Sequence, residues 1–374
     1  MKKKIMNISW HLMKSIRLQR AEYISFHERK TADWIKKRLE ELGFTITEDY
    51  AGSYYGGDTG NIFATLKGNL EGSPILFSAH MDVVQPGCKK VPVREGNVIH
   101  AKEDTILGAD DICGILEILY GVQKVIECGK PHRDLELLFT IGEELYTKGA
   151  SVFDYTPVRS KCAYVPDLSG AVGFAAKKAP SIISVRAEVT GKAAHAGFDP
   201  EHGIHAIQAA AKAISRLDMG HVDEDTTFNI GTISGGTATN IVPDRCIATG
   251  EIRSYSHQKA LAYVKKAEEI FTEEAEKIGA DAEVTHEIHL TAYETSEESE
   301  AVRRFGAACK KIGLPGVVTE TFGGSDNNCF AQHGIEGLVL SCGMYQAHSV
   351  KEYTTTEDLY HGAALIAAII LEEA

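Results

Sequence analysis

Apolar residues come in short blocks along this chain, and many blocks stop abruptly at an acidic residue or a histidine. Residues 10–18 and 27–42 carry helical spacing. In the second, Ala32, Ile35, Leu39 and Leu42 share a face and Gly43 ends it. Phe44 to Glu48 alternates as a strand, and Asn61 to Leu66 is another. Ile75-Leu76-Phe77 is bulky, apolar and too short for a helix, which predicts a buried strand. It runs out at His80 and Asp82, two apart and so facing the same side of an extended chain. Ala109 opens a helix whose face is Ile112, Ile115, Leu116, Leu119, Val122 and Ile126, with Gly129 and Pro131 ending it. Asp134 to Ile141 is a second buried strand, stopping at Gly142-Glu143-Glu144. Cys162 to Val165 is a third, stopping at Pro166-Asp167.

From about residue 180 the texture changes. Ser184 to Val189 alternates as a half-exposed strand, and Ile204 to Leu217 is a helix. Strands at Phe228 to Ile233 and Cys246 to Ile252 follow, then a charged helix from His257 to Ile278 and a strand from Ala282 to Leu290. The order β-α-β-β-α-β is the ferredoxin-like unit, complete in itself. It predicts an inserted domain over residues 180–291 within an outer α/β domain of residues 1–179 and 292–374. The outer domain resumes with a helix at Glu300 to Ile312, a strand at Val317 to Thr321 and a helix after Gly324-Ser325. A strand at Leu338 to Cys342 leads to His348, and an apolar helix from Glu357 to Leu371 closes the chain.

A length of 374 residues also suits two domains, since single cores stop growing near roughly 250–300 residues. A net charge of −13 argues against a nucleic-acid partner, whose phosphates need a basic face. Eight scattered cysteines without a C-x-x-C pair fit free thiols in a reducing compartment. Lysines follow Met1, but Asn7, Ser9, His11 and Lys14 interrupt any signal-peptide core, and no apolar run is long enough to span a bilayer. A cytoplasmic protein with no membrane partner is expected.

The chemistry lies where the apolar blocks end. His80, Asp110, Glu143-Glu144, Asp167 and His348 all sit at strand or helix mouths. Each has a plain alternative, and Asp110 in particular is a natural helix cap. Together they give two imidazoles and several carboxylates at one sheet edge. Such a mixed donor set suits zinc, and also manganese or cobalt. Five or more donors, one able to bridge, suggest two ions sharing a water, with a nearby carboxylate to take its proton. That is hydrolysis of an amide or ester.

The runs Ser78-Ala79-His80-Met81-Asp82, Gly108-Ala109-Asp110-Asp111 and Gly142-Glu143-Glu144, with the late His348, resemble the co-catalytic zinc exopeptidases. That family includes tripeptidase T, glutamate carboxypeptidase, Xaa-His dipeptidase and the amino-acid deacylases, and the inserted unit is similar to its lid and dimerisation domain. Asp167 and the spacing favour the tripeptidase T branch. The resemblance implies a mixed-sheet α/β catalytic domain with a ferredoxin-like lid, two divalent ions per chain (zinc first, cobalt or manganese next) and a homodimer through the lid. It implies that His80 and Asp167 hold one metal, Glu144 and His348 the other, and Asp110 bridges. The register of the motif assigns the bridge to Asp110 over Asp111. Asp82 orients His80, and Glu143 is the general base. Gly191 to Gly197 resembles the lid motif whose histidine, here His195, stabilises the oxyanion. Asn240, Arg253, Gly324 and Ser325 match substrate-binding positions. One departure is Ile112-Cys113-Gly114, where many members have a lysine before the glycine.

The expected activity is aminopeptidase action on short peptides, tripeptides above all. A deacylase or carboxypeptidase of the same family is the alternative. A non-catalytic scaffold on this fold is disfavoured, because Asp82, Glu143 and every metal-binding position are present.

Overall fold

The computed structural model describes residues 24–87, 90–102 and 104–372. The expected helix at 10–18 lies outside the described residues. In chain order the first half comprises α1 (Arg29–Glu41), β1 (Thr45–Glu48), β2 (Ile62–Leu66), β3 (Ile75–His80), β4 (Pro92–Glu95), β5 (Val98–Ala101), α2 (Ala109–Cys128), β6 (Leu135–Thr140), α3 (Lys148–Val152), β7 (Cys162–Leu168) and β8 (Phe174–Ala179). Then come β9 (Ser181–Thr190), α4 (Ala206–Ser215), β10 (Gly220–His221), β11 (Thr226–Gly235), β12 (Arg245–Ser254), α5 (His257–Glu276) and β13 (Asp281–Leu290). The chain ends with β14 (Tyr293–Glu294), α6 (Glu300–Ile312), β15 (Val317–Glu320), α7 (Asn327–Gln332), β16 (Glu336–Ser341), β17 (Met344–Tyr345), β18 (Tyr353–Thr355) and α8 (Thr356–Ile370).

The chain forms two compact units. One holds the described residues up to Lys178 with Glu294–Thr321 and those from Ser325 onward, and the other holds Ala179–Tyr293 with Phe322–Gly324. In the first, a mixed sheet runs β1-β2-β6-β3-β7-β16-β8-β14, with β15 beside β8. Its centre, β6-β3-β7-β16, is parallel. Strands β3 and β6 are buried along their whole length, which explains their unbroken apolar runs: a parallel strand covered on both faces has no polar side to show. Phe77, Leu137 and Tyr164 from the sheet pack with Ile115 and Leu119 of α2 and Leu365 and Ile366 of α8.

The second unit is the ferredoxin-like arrangement, with strand order β10-β11-β12-β9-β13. On β9, Ile183, Val185, Ala187 and Val189 are buried while the residues between them are half-exposed. That alternation turns one face of the sheet onto α4 and α5, whose Ala206, Ala210, Val264 and Phe271 complete the core. Among the described residues no helix is long and apolar enough to cross a membrane.

A small sheet, β17-β18-β5-β4, was not anticipated. Its strands are two to four residues long and carry mixed polar side chains, so no periodicity marks them. The strand expected to end at Val165 runs on to Leu168, and the helix expected over 27–42 spans Arg29–Glu41.

Helices α2 and α8 meet without room to spare. A Cβ on Gly121 would lie 2.6 Å from the Ile366 Cβ and 3.0 Å from the Ala363 carbonyl oxygen. Gly121→Ala should therefore overpack this contact at a cost of roughly 1–3 kcal/mol. Thermal unfolding followed by circular dichroism should show the first unit melting several degrees lower, at about 2–4 °C per kcal/mol. An unchanged midpoint would mean that the two helices part freely.

Candidate metal centre

Because β3, β6, β7 and β16 run parallel, their carboxyl ends open at one edge, the usual place for a site in such a sheet. His80 is the last residue of β3 and Asp167 lies near the end of β7. Glu143 and Glu144 form a short 3-10 turn just beyond β6. His348 lies in the loop between β17 and β18. That loop holds Gln346 and His348 at φ 52 and φ 61, and the turn after Glu144 holds Tyr146 and Thr147 at φ 66 and φ 53. Left-handed backbone at non-glycine residues costs about 1 kcal/mol or more each and persists where the surroundings impose it.

Asp110 and Asp111 share a cis peptide bond at the start of α2. Neither has helical backbone angles. Asp111 takes the capping role: its Oδ1 accepts the Gly114 N–H at 3.0 Å, and its Oδ2 accepts the His80 N–H at 3.3 Å. Asp110 is thereby left to face the edge. Its Oδ1 is 3.0 Å from His80 Nε2 and its Oδ2 is 3.2 Å from His348 Nε2. His80 Nε2 is also 3.7 Å from Asp167 Oδ1, and His348 Nε2 is 3.0 Å from both Glu144 oxygens. Two groups with metal-ligand spacing result, His80-Asp110-Asp167 and Asp110-Glu144-His348, and they share Asp110.

These residues fit a pair of divalent cations. Four largely buried carboxylates (Asp110, Glu143, Glu144 and Asp167) against two imidazoles leave an acid excess that suits cations. Hydrogen bonds to Asp110 and Glu144 push His348 up to about 10. Burial pushes Asp110 up, but the hydrogen bonds from His348 and His80 win and hold it well below the usual carboxylate range. Burial, then the charge of Asp110, drive Asp167 up to about 7 against the opposing pull of nearby His80. Glu143 sits well above its ordinary value through burial and then the Asp167 charge. Its nearest approach to an imidazole is 3.9 Å, from Oε2 to His80 Nε2, and it belongs to neither group.

Asp82 does more than the reading of His80 anticipated. His80 Nδ1 lies 3.0 Å from the Asp82 backbone carbonyl and 3.3 Å from its carboxylate. That carboxylate also accepts the Glu143 and Glu144 N–H groups at 3.0 and 3.3 Å and the Ser25 hydroxyl at 2.6 Å. One side chain thus fixes a ligand and the turn that carries the base. Glu28, fully buried, accepts the Phe26 and Gly142 N–H groups at 2.8 and 3.0 Å. Asp326, also buried, accepts the Thr140 hydroxyl at 2.5 Å. Nothing in the local pattern around Ser25 or Glu28 signals these contacts, which join positions far apart in the chain.

The remaining positions divide between the units. His195 is exposed, and its Nδ1 accepts the Gly197 and Phe198 N–H groups at 3.2 and 3.1 Å. In the neutral ring that places the proton on Nε2, leaving a donor. The Ala196 N–H bonds the Asn240 carbonyl at 2.9 Å, so the two loops are paired. Arg253 donates to Glu251 at 2.6 Å and to the Phe322 carbonyl at 2.8 Å. A Cβ on Gly324 would lie 2.1 Å from Leu290 Cδ1, so a side chain there would have to displace the Leu290 side chain. Ser325 is buried in the first unit, its hydroxyl accepting the Asn327 N–H at 3.3 Å.

The chain resembles known proteins over nearly its whole length. It is 37% identical over 348 residues to the uncharacterised Bacillus subtilis protein YqjE, covering 93% of this chain and 94% of that one. It is 33% identical to the aminopeptidase PepT of Bacillus cereus, with a TM-score of 0.92 and coverage of 99% and 98%. It is 30% identical to a tripeptidase of Staphylococcus aureus, with a TM-score of 0.93 and the same coverage. The chain belongs to the M20 peptidase family. This M20 peptidase matches the family model described as the peptidase dimerisation domain over residues 179–279. Residues 61–176, which carry His80, Asp110, Glu143, Glu144 and Asp167, match the model of peptidase family M28. The chain is a hydrolase of peptide bonds.

Asp82→Asn keeps the shape but replaces one of the two acceptor oxygens that serve two amides and a hydroxyl. Metal affinity should fall about 10–100-fold, as when a group supporting a ligand is lost. Competition between the variant and a chromophoric chelator for zinc measures it. Wild-type affinity would assign Asp82 a role in folding only.

Proposed function

We propose that this M20 peptidase is a two-metal exopeptidase of short peptides, acting as an aminotripeptidase. The observation that carries the reading is the Asp110 carboxylate, which turns one oxygen toward each of two imidazoles. His80 and Asp167 would hold one ion, Glu144 and His348 the other, with Asp110 between them. Oxygen and imidazole donors favour zinc, with cobalt and manganese next. When bound, the ions would supply Lewis acidity, polarising the scissile carbonyl and lowering the pKa of the attacking water.

The chain's own residues do the rest. Glu143 lies beside the ligands without joining either group, so it would take the water's proton and deliver it to the leaving amine. Asp82 would keep His80 and the Glu143-Glu144 turn in place. His195 would donate from Nε2 to the tetrahedral oxyanion. Asn240, Arg253, Gly324 and Ser325 would hold the peptide. A homodimer formed through residues 180–291 is supported by the dimerisation-domain match at 179–279. A cytoplasmic setting is supported by the free thiols, Cys113, Cys162 and Cys342 among them. The tripeptide preference is supported by the likeness to an aminopeptidase and a tripeptidase at 33% and 30% identity.

The zinc-loaded protein should hydrolyse tripeptides with a free amino terminus faster than their N-acetylated forms. Faster release from N-acyl amino acids would replace this reading with a deacylase. Glu143→Gln should lower kcat by at least about a hundredfold, the scale of general base catalysis, at unchanged metal content. Glu144→Gln should instead lose metal. Identical behaviour in the two variants would refute the division of roles between these neighbours.

A further inference from the structure

Glu352 enters none of the roles above, yet it is 1% exposed and lies against the Asp110 loop. One of its carboxylate oxygens accepts the Gly108 N–H at 2.5 Å, and the other accepts the Asp110 N–H at 3.1 Å. These are amides at the start of α2, where the helix offers no partner of its own. Glu352 is itself held. Its N–H bonds the Ser349 carbonyl at 3.0 Å, and the next residue, Tyr353, begins β18 and pairs with His100 of β5. The same small sheet brings in Lys90, two residues before β4 and 8% exposed. A Cβ on Gly108 would lie 2.2 Å from Lys90 Nζ. Gly108 has φ +71, a backbone conformation that favours glycine, and any side chain there would also displace the Lys90 ammonium. Burial raises the Glu352 carboxyl above its ordinary value, while the two amide hydrogen bonds and, more weakly, the Lys90 charge oppose that rise.

We propose that Glu352 is a positioning residue for the bridging carboxylate. It grips the two amides on either side of Ala109 and thereby sets where Asp110 stands. It lies four residues beyond His348, so the grip also ties the loop carrying His348 to the loop carrying Asp110. Both are members of the same metal-binding group. The inference rests on the two-metal reading. Its leverage is geometric: ligand distances tolerate only about ±0.2 Å, and a shift of the Asp110 amide moves both carboxylate oxygens together. The small sheet then has a task, since it carries Lys90, His348 and Glu352 into register with α2.

Glu352→Gln keeps the shape and one acceptor, whereas Glu352→Ala removes both. Metal-free variants would be titrated with zinc against a chromophoric chelator, and the cobalt-substituted forms examined by visible absorption. Affinity for the more weakly held ion should fall about tenfold for Gln and nearer a hundredfold for Ala. The cobalt bands should change in both. Hydrogen exchange at residues 106–112 should quicken. A purely structural role would lower the melting temperature of the metal-free protein and leave the zinc dissociation constants and cobalt spectrum of the folded fraction alone. That outcome overturns the proposal. If the Ala variant does not fold, the Gln variant decides. Wild-type protein that binds fewer than two ions would overturn the two-metal reading and this inference with it. Two ions in wild type and unaltered binding in the variants would overturn the role of Glu352 only.

Discussion

One carboxylate stands between two imidazoles, and the acids around it must be neutralised by something. Two unit charges 4 Å apart interact by about 4 kcal/mol at an effective dielectric constant of 20. Asp110, Glu143, Glu144 and Asp167 are all largely buried around His80. Hydrogen bonds to the carboxylates push His348 up, and His80 too against its burial, while burial drives Asp167 up to about 7. Cations compete for the same atoms, so filling the site displaces protons. A ligand that binds only the folded state stabilises it by mass action. The acid-rich corner therefore links folding to metal.

The rest of the first unit brings these groups to one place. Four parallel strands put their carboxyl ends at one edge, where β3 and β7 carry His80 and Asp167 and the turn after β6 carries Glu143 and Glu144, while Asp110 opens α2 and His348 lies between β17 and β18. The strands are buried on both faces and leave little freedom of register, because a slip of one residue would turn His80 into the opposite face. The loops carry the strain: His348, Gln346, Tyr146 and Thr147 all hold left-handed backbone. Buried carboxylates pin the same segments. Asp82 holds the Glu143-Glu144 turn, Asp111 holds the His80 amide, and Glu28 holds Gly142.

What the sequence could tell follows from the range of each signal. The buried strands and long helices repeat over many residues, and their ends are abrupt. The convergence of His80, Asp110, Glu144, Asp167 and His348 was readable from those ends. The ferredoxin-like unit was readable from the alternation in β9 and the order of its elements. The small sheet was not, because strands of two to four residues show no period. Nor were Ser25, Glu28 and Glu352, whose partners lie 57, 114 and more than 240 residues away. Asp110 and Asp111 gave two readings for two adjacent acids, a helix cap and a metal ligand. Both were offered for Asp110; the capping contact falls instead to Asp111, whose Oδ1 accepts the Gly114 N–H, and Asp110 faces the two imidazoles.

That pair exposes the distinction on which the site turns. The buried acids around the site sort, with few exceptions, by what their oxygens meet. Asp82, Asp111, Glu28 and Glu352 accept backbone N–H groups, so each is matched within the chain and fixes a loop. Asp110, Glu144 and Asp167 face imidazoles and one another, so three carboxylates share two imidazoles and an excess of acid remains. The residue type is the same in both sets, and neighbours in sequence fall into opposite ones. An amide is a fixed dipole that cannot leave, whereas a proton or a cation can. The first set therefore builds a rigid frame, and the second is left with a charge that only an exchangeable partner can satisfy. An exchangeable partner held in a rigid frame is what a hydrolytic metal site requires, because each ligand must keep its place while water and substrate come and go.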